Sequence, residues 1–184
     1  VKYGAILQII YLQYCCIATL NAFPALSRQS PLESGRYKLE TQMECTVRWM
    51  GSDAGMSFVA ESGSGHAIVM DGSADAGGRN LGPRPMEMVL AGTGGCTAFD
   101  VVLILKRGRH AVSGCEVQLT AERADIDPKV FTHIHFHFKV KGRQLKPEAV
   151  ARAIELSKEK YCSASIMIGK TATITHDFEI IEEN

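Results

Sequence analysis

The side chains with the clearest chemical potential in this sequence are its six cysteines, none of which lies in a C-x-x-C pair. The spacing therefore indicates neither a zinc-binding module nor a disulfide-dense secreted scaffold, and we expect free thiols, some of them reactive, in the cytoplasm. Cys96 is the most distinctive of the six, because Gly92, Gly94 and Gly95 precede it within one apolar stretch. The alternative for any single cysteine is a small buried hydrophobic residue with no chemical role.

The stretch around Cys96 has the terminal signals of a long helix. Pro85 and Glu87 suit a first turn, because the amide proton that proline lacks is not needed there and the helix dipole favours a carboxylate. Lys106 and Arg107 suit the last turn, and Gly108 provides a stop. The residues between these ends are apolar on almost every side, which predicts a helix buried nearly all round. Each glycine inside it costs about 1 kcal/mol relative to alanine, so we expect another backbone to approach closely beside the cysteine.

A second candidate for chemistry is a row of alternating histidines, since three imidazoles on one strand face could bind a metal ion. The row is His133, His135 and His137. Between these residues stand Ile134, Phe136 and Phe138, which predict the core-facing side of the same strand. We therefore expect the histidines on a solvated or interface face, and we predict no metal and no cofactor.

The elements that must position these residues follow from the periodicity of the apolar side chains. Alternating patterns predict strands at 43–50, 56–61, 66–70, 115–123, 131–141 and 171–181. Helical spacing predicts helices at 86–107 and 147–161, with a short further segment at 162–167. The order β-β-β-α-β-β-α-(α)-β, with strands in hairpins, indicates an α+β fold. Cys45 and Cys115 fall in apolar strand rows and are predicted to lie in the core.

The charge balance argues against a nucleic-acid-binding protein. Lysine and arginine together number 20, as do aspartate and glutamate, and no long run of like charge appears. The Gly92-Thr-Gly-Gly segment lies inside the predicted helix and not at a strand-to-helix turn, so it does not indicate a phosphate-binding loop.

The first 42 residues differ in pattern from the rest of the chain. Lys2 precedes an apolar run that Gln8 and Gln13 interrupt, an outline similar to that of a secretory signal peptide. Alternatively, Met43 could be the natural start, because it opens a clean strand pattern, or the segment could be an anchor or an additional helix. We expect residues 1–42 to lie outside the fold and residues 43–184 to form one domain.

Two segments carry a resemblance to a known family. The first is Gly82-Pro-Arg-Pro-Met-Glu-Met-Val-Leu-Ala-Gly-Thr-Gly-Gly-Cys96-Thr-Ala-Phe-Asp-Val-Val, and the second is Glu159-Lys-Tyr-Cys162-Ser-Ala-Ser. Together they resemble the two cysteine motifs of the OsmC/Ohr superfamily, and most closely its YhfA-like branch. The resemblance extends from about Met43 to the C-terminus.

The resemblance implies antiparallel sheets wrapped around two long central helices in an intertwined homodimer. It also implies a thiol peroxidase that reduces organic hydroperoxides in oxidative-stress defence. Cys96 would attack the peroxide and become a sulfenic acid, and Cys162 would condense with it to a disulfide. A small dithiol or lipoyl-type reductant would restore the pair, and no cofactor, nucleic acid or membrane is implied.

The activating residues of the family's best-known peroxidases are not matched at the same positions. The resemblance implies a loop arginine held by a glutamate ten residues before the first cysteine, and that position is Met86. Glu87 stands nine residues before Cys96, which at about 100° per residue is the opposite helix face, where stabilising the helix dipole is the simpler role. Arg79 and Arg84 are the nearest arginines, but neither is at the matching position.

Asp100 follows Cys96 by one helical turn and would raise the pKa of its thiol. The sequence therefore leaves open a second hypothesis, a non-catalytic OsmC-like protein that binds a hydrophobic ligand in the dimer cleft, with structural cysteines. The unmatched arginine and glutamate favour this second hypothesis, and the pair of motif cysteines favours the peroxidase.

Overall fold

The computed structural model describes residues 43–183, which hold six strands and three α-helices. The strands are β1 (Cys45–Trp49), β2 (Phe58–Ser62), β3 (Ala67–Met70), β4 (Ala111–Arg123), β5 (Phe131–Arg143) and β6 (Thr173–Glu182). The helices are α1 (Pro85–Arg107), α2 (Pro147–Leu156) and α3 (Ser163–Ile168), with a π-helical turn, Ser157–Tyr161, between α2 and α3. This order confirms the predicted α+β fold. The leader predicted for residues 1–42 lies outside the described residues.

The described strands form two three-stranded sheets. β1, β2 and β3 make an antiparallel meander. In the second sheet the central strand β5 pairs antiparallel with β4 on one side and parallel with β6 on the other. The parallel pair follows from the connection, because α2, the π-turn and α3 cross over between β5 and β6 and return the chain in the same direction.

The core lies on the face of the second sheet that α1 and α2 cover. Alternate residues of β5 point into it and are at most 2% exposed: Ile134, Phe136, Phe138 and Val140. This is the row predicted from the sequence, and it follows from the two-residue period of a strand. The helices complete the core with Val101 and Leu105 of α1 and with Val150 and Ile154 of α2.

One face of α1 packs on the second sheet, whereas the opposite face is open in a single chain. Gly94 is on the packed face, where an added Cβ would lie 2.6 Å from Leu119 Cδ1 on β4. The close neighbour of Gly94 is therefore a β4 side chain and not the backbone expected from the sequence. A Cβ on Gly92 or Gly95 would meet no atom within 4 Å, and Phe99 on the same face is 68% exposed. The prediction of a helix buried nearly all round is thus not met within one chain.

By length and composition alone, α1 is the one helix of residues 43–183 that could cross a membrane. The core helix of a folded domain passes the same test, and α1 contributes Val101 and Leu105 to the core. This finding is therefore weak support for a membrane span.

The first sheet carries apolar side chains that the rest of a single chain leaves uncovered. Val47, Trp49, Ile68 and Val69 are between 44% and 55% exposed. Cys45 on β1 is exposed too, so the prediction that it lies in the core is wrong for a single chain. Cys115 on β4 is half-buried and packs against the core, in agreement with its prediction.

Candidate active site

Two cysteines from distant parts of the sequence meet between α1 and α3. Cys96 lies in the middle of α1, and Cys162 immediately precedes α3. Their sulfur atoms and a carboxylate oxygen of Asp100 all lie within 4.8 Å of one another. The structure therefore brings together three of the residues singled out in the sequence.

The π-turn before α3 sets the position of Cys162. The Cys162 backbone N–H donates to the Ser157 carbonyl at 2.8 Å and so closes the wide turn. The Cys162 backbone is extended, with φ −75° and ψ 95°, and α3 begins at the next residue. At the start of the turn, the Ser157 hydroxyl donates to Asp100 Oδ2 at 3.2 Å, which ties the turn to α1.

The Cys162 sulfur is surrounded by hydrogen-bond donors in a site with no exposed surface. Ser165 donates to it from its hydroxyl at 3.1 Å and from its backbone N–H at 3.4 Å. The Thr97 hydroxyl lies 3.3 Å from the sulfur and 3.0 Å from Ser165 Oγ. Burial alone would raise the pKa of the Cys162 thiol, but the hydrogen bonds from Cys96, Ser165 and Thr97 hold that pKa below its ordinary value.

The Cys96 thiol is more accessible than the Cys162 thiol and harder to ionise. Cys96 keeps part of its surface exposed. Burial raises the pKa of Cys96, its hydrogen bond to Cys162 raises it further, and the charges of Cys162 and Asp100 act in the same direction. The Ala164 backbone N–H opposes these effects. Asp100 therefore raises the pKa of Cys96, which is the direction predicted from the sequence.

Cys96, Asp100 and Cys162 also form the one compact group of possible metal ligands within residues 43–183. Two sulfurs and a carboxylate are one ligand short of a closed tetrahedral site. The donors around Cys162 already occupy the lone pairs of its sulfur. Because three protein ligands are enough for an open site, the prediction of no metal here stays a prediction.

The histidine row of β5 pairs with β6 and does not converge on one point. His137 Nδ1 donates to Asp177 Oδ1 at 2.5 Å, and His135 Nε2 lies 3.5 Å from the same oxygen. His133 Nε2 is 3.3 Å from the hydroxyl of Thr175. The hydrogen bond to Asp177 raises the pKa of His137. The row lies opposite the core face, where the sequence predicts it.

The candidate supporting residues Glu87, Arg84 and Arg79 lie toward the N-terminal end of α1. Glu87 Oε2 accepts the backbone N–H of Arg84 at 2.8 Å, so this carboxylate caps the helix. The loop before α1 is held by the buried Asp71, which accepts the backbone N–H of Arg79 at 2.8 Å. Nine residues of helix separate Glu87 from Cys96, or about 13 Å along the axis. Within residues 43–183, the hydrogen bonds to the Cys162 sulfur come from hydroxyl, thiol and backbone N–H groups and not from an arginine.

The hydroxyl groups around the pair are the functional residues that the sequence patterns do not identify. Ser165 has a local signal, because it stands three residues after Cys162, the spacing at which a cap side chain meets a backbone N–H. Thr97 is adjacent to Cys96, but no sequence pattern identifies it as a residue of the site. The contact between Ser157 and Asp100 joins residues 57 apart, and nothing local predicts it.

The family model for OsmC-like protein matches residues 77–177, a span that includes both cysteines of the pair. The chain therefore belongs to the OsmC-like protein family. Among curated proteins, it is 50% identical over 139 residues to Protein YhfA of Escherichia coli (strain K12), a match that covers 76% of this chain and 98% of that protein.

Solved structures agree with this assignment. A hypothetical protein from Aquifex aeolicus VF5 superposes with a TM-score of 0.66 at 26% identity, covering 78% of this chain and 98% of that chain. An organic hydroperoxide resistance protein from Elizabethkingia anophelis superposes with a TM-score of 0.59 at 17% identity, covering 76% of this chain and 96% of that chain. At this identity the similarity shows the fold alone. The family and the α+β fold implied by the two cysteine motifs are thus confirmed, whereas the intertwined homodimer stays a prediction.

Proposed function

We propose that this protein is a thiol-dependent peroxidase that reduces organic hydroperoxides in oxidative-stress defence. The observation that carries the proposal is a partly exposed thiol paired with a buried one, their sulfurs within 4.8 Å. In a single chain Cys96 is partly exposed, whereas Cys162 has no exposed surface. This division suits a peroxide-attacking thiol and a resolving thiol, respectively.

In this scheme Cys96 attacks the terminal oxygen of the hydroperoxide, the O–O bond breaks, and the alcohol leaves. Cys96 becomes a sulfenic acid, and Cys162 then attacks the Cys96 sulfur to form a disulfide with release of water. A disulfide has an S–S length of about 2.05 Å, so the two sulfurs would approach by less than about 3 Å from their present separation.

A small dithiol or lipoyl-type compound is the proposed reductant. One of its thiolates would open the protein disulfide as a mixed disulfide, and its second thiol would close onto the first and release the protein. The four described cysteines are free, which fits the reducing conditions of the cytoplasm.

We also propose a homodimer in which the open face of α1 packs against the same face of a second copy. Beside Phe99 this face has an apolar groove of about 400 Å³ that ends at Lys106 and Cys115. A two-fold axis would place identical faces together and remove Phe99 from water. The exposed apolar side chains of the first sheet are a second surface that a partner copy would cover.

A second candidate function is a non-catalytic OsmC-like protein that binds a hydrophobic ligand in the dimer cleft. The raised pKa of Cys96 favours this alternative, because a protonated thiol is a poor nucleophile. The position of Glu87 in the helix cap, about 13 Å along α1 from Cys96, favours it as well.

Hydroperoxide consumption in the presence of a dithiol tests the proposal. The protein with cumene hydroperoxide and dihydrolipoamide should consume peroxide over many turnovers, and Cys96→Ser should abolish this activity. Cys115→Ser, which removes a half-buried thiol outside the pair, should leave the rate unchanged. An inactive parent protein, or a Cys96→Ser variant as active as the parent, would contradict the peroxidase assignment.

A further inference from the structure

We propose that Cys162 carries the resting negative charge of the cysteine pair, held by the hydroxyls of Ser165 and Thr97, and that this thiolate accepts the Cys96 proton when Cys96 attacks the peroxide. The inference rests on the proposed peroxidase function. It makes Ser165 and Thr97 positioning residues that act through Cys162, and it provides activation without an arginine at the pair.

The main support is the number of donors directed at one buried sulfur. The Ser165 hydroxyl and the Ser165 N–H donate to Cys162 Sγ at 3.1 and 3.4 Å, and the Thr97 hydroxyl, 3.3 Å away, can donate to it when it turns from the Thr93 carbonyl. The Cys96 sulfur lies within 4.8 Å of the same atom. A neutral thiol is a weak acceptor, whereas a thiolate accepts several hydrogen bonds. Because Cys162 has no exposed surface, these donors replace the water that would otherwise solvate its charge.

The proton count in the hydroxyl network is compatible with both charge states of Cys162. Thr97 Oγ1 lies 3.0 Å from the Thr93 carbonyl and 3.3 Å from Cys162 Sγ, and its single proton can bond only one of them at a time. When Cys162 is a thiol, its S–H can donate to Thr97 while Thr97 donates to Thr93. When Cys162 is a thiolate, the Thr97 proton turns to the sulfur, and the Thr93 carbonyl keeps the backbone bond of the helix. One hydroxyl rotation therefore satisfies both charge states.

Within residues 43–183, no cationic side chain is hydrogen-bonded to the Cys162 sulfur, whose partners are the Thr97 hydroxyl and the hydroxyl and backbone N–H of Ser165. On α1, Asp100 opposes negative charge on Cys96. Beyond Thr97 and Ser165, Lys158 of the π-turn and His176 of β6 line a small cavity. Burial and the nearby Lys158 lower the pKa of His176. The other charged residues of the π-turn are exposed, and α3 has no ionisable side chain.

The charge on Cys162 gives a balanced route through the first half of the cycle. Cys96 attacks the hydroperoxide, its proton passes to the Cys162 thiolate, the O–O bond breaks, and an alkoxide leaves. The alkoxide takes the proton from Cys162 and departs as the alcohol, which restores the thiolate. Cys162 then attacks the sulfenic sulfur of Cys96, the S–S bond forms, and the hydroxide that leaves takes a proton from solvent to become water. The two sulfurs together supply the two electrons that reduce the peroxide.

Titration of the full chain by the ultraviolet absorbance of thiolates tests the assignment without peroxide. One thiol should ionise below the ordinary value of about 8.5, and its signal should be lost in Cys162→Ser but kept in Cys96→Ser. Thr97→Val keeps the shape and removes the hydroxyl, so it should raise the midpoint by about one pH unit, whereas Thr97→Ser should not. Ser165→Ala should act like Thr97→Val, and Ser163→Ala, on an exposed serine of α3, is its matched control.

The pH dependence of peroxide consumption is the second readout, because a merely structural role would not move it. The pH at which the rate is half-maximal should equal the midpoint of the Cys162 titration. Both pH values should rise in Thr97→Val. The inference would be overturned if the thiol that ionises at low pH disappeared in Cys96→Ser. It would also be overturned if the titration midpoint were unchanged in both Thr97→Val and Ser165→Ala. A low midpoint at Cys162 with no peroxide consumption would overturn the proposed function and the proton transfer, and would support the resting charge on Cys162.

Discussion

Removal of the Phe99 ring from the open face of α1 should weaken the association of two subunits. The side chain is 68% exposed in a single chain, so a helix packed over it would bury most of its surface. Complete burial of a phenylalanine stabilises by about 1.5–3 kcal/mol, and covering the exposed part of this one would contribute about 1–2 kcal/mol. A two-fold dimer buries two copies, so Phe99→Ala should cost about 2–4 kcal/mol per dimer. The dissociation constant should therefore rise about 30- to 900-fold.

Sedimentation velocity or light scattering over a dilution series measures this constant. Ile126→Ala is the matched control, because Ile126 is 78% exposed on the turn between β4 and β5 and its loss should leave the constant unchanged. A parent protein that is monomeric at micromolar concentration would refute the homodimer. A Phe99→Ala variant that dissociates like the parent would refute the placement of α1 in the interface.

Three further substitutions test the packing and the electrostatics of the fold. Gly94→Ala should be less stable than Gly92→Ala by about 1–3 kcal/mol in a denaturant titration, because both gain the helix propensity of alanine but only the Gly94 Cβ would lie 2.6 Å from Leu119 Cδ1; equal midpoints would mean that β4 yields freely. Asp71→Asn should lower the melting temperature, because Asp71 accepts three backbone N–H groups, and these bonds lower its pKa. The Asp71 contribution is present above the unfolded value of about 3.9 and is lost as the pH falls through the lower folded pKa, so the parent and variant melting temperatures should converge in acid. Asp177→Asn should lower the pKa of His137 in an NMR titration, and the stability from this pair should be present below about pH 6.5 and be lost as the pH rises through the raised pKa; an unmoved pKa would show that the hydrogen bond is not its cause.

The order of elements could be predicted because its signals are local. The alternating row of β5 and the terminal residues of α1 act over a few positions, and the structure has both where the sequence predicts them. Their exact extents depend on pairing and packing. β4 begins at Ala111, four residues before the predicted start, because a register shift at Gly114 lets it continue along β5.

The candidate site could be predicted only in part, because most of its contacts are not local. The cysteine pair follows from the resemblance to the family and not from the spacing of the residues. Helical spacing over 147–161 does not reveal the π-turn, whose start is bonded to Asp100 through Ser157. The hydroxyls of Thr97 on α1 and Ser165 on α3 both contact the Cys162 sulfur. Burial alone would raise the pKa of Cys162, whereas these hydrogen bonds lower it.

Peptide mapping of the full chain after one equivalent of cumene hydroperoxide tests the central claim, that Cys96 and Cys162 form a redox pair. We expect an intact mass lower by about 2 Da and a single disulfide that joins the Cys96 and Cys162 peptides. In Cys162→Ser, the same treatment should leave a sulfenic acid on Cys96, about 16 Da heavier, that over-oxidises with excess peroxide. A parent protein in which Cys96 and Cys162 stay reduced while the exposed Cys45 is oxidised would contradict the account.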